Sequence, residues 1–267
     1  MRTARSLFLP LLAGALLWAS ASRADFEAGW TAYQAANFAE AVKQWKPAAD
    51  AGDARAQFNL GILYDEGKGV AQDTKKAKEL WNMAAAQGYA PAQHNLGIQL
   101  LAGEVPPQDQ KAAVEWLRKA AEQGFERSEY SFGEIYYYGL SVPRDPIVSV
   151  EWFLKSANKG YVPAQYNLGK MYRDGDGAKK DLAESVKWYR QAADQGYAKA
   201  QDSLAMRYAR GEGVDLDLVQ ALMWTTLAAK QGLDRADDNR KALIERMSAA
   251  DVKKAEVLVA AWKPASR

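Results

Sequence analysis

The first groups in this chain that could do chemistry are short glycine and aspartate signatures. Gly67, Gly175 and Gly211 each open a G-x-G sequence, the beginning of a loop whose backbone N–H groups can cradle a phosphate. That loop needs a preceding strand and a third glycine. Here the sequences follow helical patterns and the third glycine is missing, so they read as helix stops. Asp174 and Asp176 have the spacing of calcium ligands, but Ala178 stands at the third oxygen position, Lys179 at the glycine position, and the terminal bidentate glutamate is missing. With no cysteine and one histidine, His94, a thiol nucleophile, a disulfide framework and a multi-histidine metal centre are excluded. No cofactor is expected.

Asp73, Asp109, Asp145, Asp181 and Asp217 fall at a constant spacing of 36 residues. A catalytic carboxylate pair must converge within about 5 to 10 Å, whereas aspartates one period apart recur in identical settings, and this directs attention to the elements that hold them. Gly52, Gly88, Gly124, Gly160, Gly196 and Gly232 keep the same 36-residue interval, as do Gly67, Gly103, Gly139, Gly175 and Gly211, and the alanines at 49, 85, 121, 157, 193 and 229. Four registers in step define a repeat.

Within one unit, Ala164, Leu168 and Tyr172 lie at i, i+4 and i+8, one face of a helix. Counterparts begin at Ala56-Gln57, Ala92-Gln93, Ser128-Glu129 and Ala200-Gln201. Asp174-Gly175-Asp176-Gly177 should end this first helix, because glycine accepts the left-handed conformation of a helix C-terminus. Asp181 and its equivalents should then cap a second helix, predicted over Leu182 to Gln195 with Trp188 and the pair Ala192, Ala193. Trp152 and Trp188 are expected in the core. Trp45 and Trp81 lie seven residues before their terminal glycine, while Trp116, Trp152, Trp188 and Trp224 lie eight before theirs.

This A-x-x-x-L-G-x-x-Y, G-x-G, W-x-x-x-A-A-x-x-G pattern resembles the Sel1-like repeat, a relative of the tetratricopeptide repeat with a longer inter-helix loop. The resemblance covers residues 53 to 232 as five copies, with Leu100 in place of the tyrosine in the second and Ala205 in place of the glycine in the last. It implies an all-α, right-handed solenoid of helix pairs. Residues 25 to 52 read as a further, tetratricopeptide-like pair carrying Trp30 and Tyr33. After Leu233 the period ends, and two helices predicted near 234 to 247 and 249 to 262, the second opened by Ser248 and Asp251, would form the C-terminal cap.

Residues 1 to 24 have a different character. Arg2 and Arg5 precede an apolar run from Leu7 to Trp18 and a small-residue stretch ending at Ala24, the build of a secretory leader. The expected mature start is Asp25, with a second cleavage site after Ala21, and the expected location is periplasmic or secreted. The full chain carries 35 basic and 33 acidic residues; without Arg2, Arg5 and Arg23, 32 basic residues face 33 acidic ones. Near neutrality removes the electrostatic basis for nucleic-acid binding. No membrane span is expected after cleavage.

If the first helix of each pair lines a concave face, as the resemblance implies, its outward positions are partner-binding candidates: Phe58, Asn59 and Ile62; His94, Asn95 and Ile98; Tyr130, Ser131 and Glu134; Tyr166, Asn167 and Lys170; and in the last copy Asp202, Ser203 and Met206. Asparagines at this register can bond the backbone of an extended peptide, or else tie their own helix to the neighbouring repeat. A chain taken up by repeat architecture with no catalytic inventory left over, and with a leader pattern at its start, is expected to be a non-enzymatic exported adaptor with a protein or peptide partner; the resemblance permits a sensor regulator, an envelope scaffold or an immunity protein and selects none of them. Two alternatives are a peptidoglycan- or polysaccharide-binding role, resting on aromatics such as Tyr136, Tyr137 and Tyr138, and a β-lactam-binding or hydrolysing enzyme like the cysteine-rich Sel1-like proteins, whose cysteine pairs this chain lacks.

Overall fold

The computed structural model describes residues 26–102 and 107–265. The predicted leader lies outside the described residues. Among those residues the chain forms fourteen helices and no strand, and consecutive helices pack as antiparallel pairs of a repeat solenoid. Two compact units divide between Gln123 and Gly124. The first contains α1 (26–34), α2 (Phe38–Asp50), α3 (Ala54–Glu66), α4 (Thr74–Ala86), α5 (Ala90–Ala102) and α6 (Pro107–Glu122). The second contains α7 (Glu126–Tyr138), α8 (Pro146–Asn158), α9 (Val162–Asp174), α10 (Leu182–Asp194), α11 (Ala198–Arg210), α12 (Leu218–Lys230), α13 (Asp234–Ile244) and α14 (Ala249–Ala261).

The periodic aspartates are helix caps. Asp73, Asp181 and Asp217 each accept a hydrogen bond at 2.9 Å from the backbone N–H three residues on, and Asp145 accepts from Ile147 and Val148 at 3.1 Å. Each cap satisfies donors that the first turn of a helix leaves open. The side chain of Asp109 lies outside what the structure describes; α6 itself begins at Pro107, and proline at a first helical position has its φ already set for the helix. The glycine stops also form: Gly67, Gly139, Gly175 and Gly211 end α3, α7, α9 and α11 in the left-handed conformation. Ser248 caps α14 and shares a hydrogen bond with Asp251.

The second glycine of G-x-G serves packing. Gly177, at φ +82°, lies so close to α8 that a Cβ there would sit 2.1 Å from the Pro146 carbonyl oxygen, leaving no room for a ligand or a side chain.

Within a pair, a glycine of the first helix meets a large side chain of the second. A Cβ on Gly169 would fall 2.5 Å from the Tyr189 ring, and one on Gly133 2.5 Å from the Phe153 ring. The buried partner is therefore the residue seven before the terminal glycine: Trp45, Trp81, Leu117, Phe153 and Tyr189 are all in the core. This corrects the expectation for Trp152, which is half-buried and packs edge-on to Phe132. Trp188 is buried as expected, in a cluster that joins Leu168 and Met171 of its own pair to Phe153 of the preceding one. In the last repeat, where Ala205 replaces the glycine, the facing core residue is the smaller Thr225. Volume is traded across the interface, as a close-packed interior requires.

Successive pairs are joined by a polar chain that the sequence reading did not anticipate. Gln57, Gln93, Gln165 and Gln201 are buried, and each Nε2 donates to an alanine carbonyl at the end of the preceding helix: Ala49, Ala85, Ala157 and Ala193, at 3.1 to 3.2 Å. Each Oε1 accepts from a glutamine thirty residues on, Gln87, Gln123, Gln195 or Gln231, at 2.8 to 2.9 Å. In the remaining copy the buried residue is Glu129, and its partner is Lys159, whose Nζ donates to Oε1 at 2.6 Å and to the Gly124 carbonyl at 2.6 Å. A neutral amide pair has become an ion pair at the same two positions.

Candidate functional site

In the first unit, the predicted residues on α3 and α5 are mostly engaged by their own fold. The Phe58 ring packs edge-on to Tyr89 at 5.5 Å, and its carbonyl accepts from Trp81 Nε1 at 3.1 Å. Asn59 Nδ2 donates to the Arg55 carbonyl of its own helix at 2.8 Å. Ile62 is half-buried against the cluster of Ala77 and Trp81. His94 and Asn95 are half-buried and Ile98 is 39% exposed.

The second unit brings its candidates together. Tyr130, Glu134, Tyr166, Asn167 and Lys170 line one open groove of about 510 Å³ that runs along α7, α9 and α11 and reaches Arg235 at the start of α13. Tyr130 Oη donates to Glu134 Oε1 at 2.7 Å, and Asn167 Nδ2 reaches Tyr130 Oη at 3.5 Å. Burial pushes the Glu134 carboxyl up from its ordinary range, although the tyrosine hydroxyl favours its ionised form; burial and then Glu134 push the Tyr130 phenol up in turn. Ser131 is buried and donates to the Arg127 carbonyl at 3.1 Å. The aromatic slot is half-buried at the joint between pairs: Tyr130 meets Tyr161 at 5.2 Å and Tyr166 meets Tyr197 at 5.3 Å.

Asp202, the aspartate in that slot, is fully buried. It pairs with Arg235 and accepts from Asn239 Nδ2 at 3.0 Å, which fastens α11 to α13. Ser203 bonds the Lys199 carbonyl of its own helix at 2.8 Å. The aromatics suited to a sugar face are largely spent on one another: Tyr136 packs on Phe132 at 5.6 Å and Tyr137 on Tyr138 at 5.0 Å, leaving Tyr138 61% exposed.

Nucleophile chemistry has one further trace in the sequence. Ser156-Ala157-Asn158-Lys159 reads S-x-x-K, the order of a serine nucleophile and its lysine. The structure gives both residues other partners: Ser156 is buried and donates to the Glu126 carbonyl at 2.7 Å, while Lys159 is held by Glu129 and Gly124. Among the described residues no group of three or more His, Asp and Glu side chains could hold a metal ion, and no helix is long and apolar enough to cross a membrane.

A stack of capped helix pairs, with polar links between pairs and a groove along the first helices, defines a helix-pair repeat protein. The Sel1 repeat family matches residues 54–89, 90–125, 127–161, 162–197 and 198–233, and the chain belongs to that family. Sel1 repeats generally form non-catalytic scaffolds that mediate protein interactions. Among solved structures, the chain is similar to a Sel1 repeat protein from Oxalobacter formigenes, at 28% identity and a TM-score of 0.74, covering 91% of this chain and 99% of that one. It is also similar to a protective antigen of uropathogenic Escherichia coli strains with an SLR fold, at 29% identity and a TM-score of 0.56; the match covers 89% of this chain but spans only 60% of the antigen. An immunity protein from Pseudomonas aeruginosa shares the fold at 19% identity and a TM-score of 0.54, over 78% of this chain and 82% of that one. No protein with a curated description matches the sequence.

Proposed function

We propose that this protein is an exported, non-catalytic adaptor that binds a protein or peptide segment along the first helices of its repeats. The observation that carries the reading is the groove on the second unit, where Tyr130, Glu134, Tyr166, Asn167 and Lys170, chosen by repeat register alone, line one surface. Aromatic edges, an amide, a cation and a carboxyl in one elongated cleft suit an extended peptide, whose backbone bonds to the amide while its side chains meet the neighbouring groups. Export rests on the leader pattern of residues 1–24. The test is affinity capture from envelope extract with the exported form and with a Tyr166→Ala, Asn167→Ala, Lys170→Ala triple variant. The reading predicts a reproducible partner that the variant loses while keeping its circular dichroism spectrum. Equal recovery by both proteins would remove the groove from the interaction.

A further inference from the structure

Beside the groove lies a second cavity of about 220 Å³, built by α9, α10, α11 and α13. Arg235 belongs to both. Across the two, Lys170, Lys199, Arg173, Arg207, Arg210 and Arg235 line the surface against two carboxylates, Glu134 and Asp202. For a chain of 35 basic and 33 acidic residues, this is a concentrated surplus.

Three of the arginines already hold acids: Arg173 donates to Asp174 from Nε and Nη2 at 2.6 Å each, Arg207 pairs with Glu212, and Arg235 with Asp202. With Asp174 and Glu212 counted, the surface is still net positive, and a guanidinium has five donors, more than one carboxylate uses. Arg210 has no carboxylate partner among the described residues. Two buried polar atoms of this cavity's lining also lack a partner: Nε of Arg207, whose side chain is nine-tenths buried, and Oη of Tyr189, which is wholly buried. Unpaired buried donors are costly, and these two belong to residues in the cavity wall that the chain's own acceptors leave unsatisfied. Burial pushes the Tyr189 phenol up to about 12, so it remains a donor at neutral pH.

We infer that this arginine-lined cavity is an anion subsite of the partner groove, and that the bound segment is an acidic peptide placing a carboxylate between Arg207, Arg210 and Arg235. The inference deepens the adaptor reading and rests on it. Forked guanidinium donors match the two oxygens of a carboxylate, and the lysines along the groove would draw an acidic chain into register.

The test is fluorescence anisotropy of the exported protein with a labelled peptide rich in Asp and Glu, and with the same peptide carrying Asn and Gln, each with a free or an amidated C-terminus. The acidic peptide should bind at least about tenfold more tightly than the neutral one, and raising salt from about 50 to about 300 mM should weaken it. Arg207→Gln and, separately, the exposed Arg210→Gln should each lose most of that preference; Arg210→Gln keeps the test valid if the buried variant fails to fold. Discrimination that follows C-terminal amidation instead of side-chain acidity overturns the acidic-peptide inference, since a chain-terminal carboxylate then fills the subsite. Equal binding of acidic and neutral peptides, no binding of either, or native preference in Arg210→Gln overturns the acidic inference. The groove reading is judged separately, by partner capture with the triple variant.

Discussion

Gln87 Nε2 donates to Gln57 Oε1 at 2.8 Å, and Gln57 Nε2 donates in turn to the Ala49 carbonyl at 3.1 Å. Three helices, α4, α3 and α2, are thereby linked through two amides. A buried amide between two repeats makes every bond it can or leaves an orphan, and here the same link recurs four times at the repeat period. Replacing Gln165 by alanine should remove its hydrogen bonds to the Ala157 carbonyl and from the Gln195 amide and destabilise the protein by about 1 to 3 kcal/mol. Gln195→Ala, which removes only the outer member, should cost less. Urea titration of both variants reads the difference, and loss should spread to adjacent pairs because each is stabilised by its interfaces.

Glu129 and Lys159 are the charged version of that link. Lys159→Ala should destabilise by about 2 to 3 kcal/mol, since it leaves a buried carboxylate alone. The double replacement Glu129→Gln, Lys159→Gln restores the pattern of the other copies and should come within about 1 kcal/mol of the native protein or exceed it. Thermal unfolding of single and double variants decides; a double variant worse than Lys159→Ala would refute the equivalence.

The repeat, its caps and its glycine stops were all legible in the sequence, because each is set by local chemistry: an aspartate before a helix, a glycine after it, apolar residues at helical spacing. Packing across the pair was less so. Trp152 and Phe153 are adjacent, and only the facing helix decides which one enters the core. The contact of Phe153 with Gly133 makes that choice. The glutamine chain left a signal that could have been found, as Gln57 and Gln87 recur at the repeat period and change together to Glu129 and Lys159. The groove candidates followed from register, but the cation-lined cavity depends on α13, which lies outside the period.

Phe153→Ala should cost about 3 to 5 kcal/mol, and Trp152→Ala distinctly less, because only the former leaves a closed core cavity. Gly169→Ala should cost about 1 to 3 kcal/mol by forcing a Cβ against the Tyr189 ring. Adding Tyr189→Thr, which copies the Ala205 and Thr225 arrangement, should give a loss smaller than the sum of the two single changes. Additive losses in denaturant titration would contradict the volume trade.

Glu134 supplies a pH signature. Burial raises its folded-state pKa above the unfolded value, so its contribution to stability is fully present below the unfolded carboxylate range, near 4.3, and is lost as pH rises through the folded pKa. Glu134→Gln should remove that loss: the stability of the variant relative to the native protein should increase from about pH 4 to about pH 8. A difference that is flat or falls with pH would show that the fold does not raise the pKa of this carboxyl.

The central claim is that a partner segment lies along the first helices of the second unit. It is tested most directly by placing a photo-crosslinking amino acid at Lys170, inside the groove, and in a control at Lys187, whose side chain on α10 is 68% exposed. Irradiated in envelope extract, the Lys170 position should yield one discrete adduct that the Lys187 position does not. No adduct from Lys170, or the same adduct in equal yield from both positions, would contradict the account.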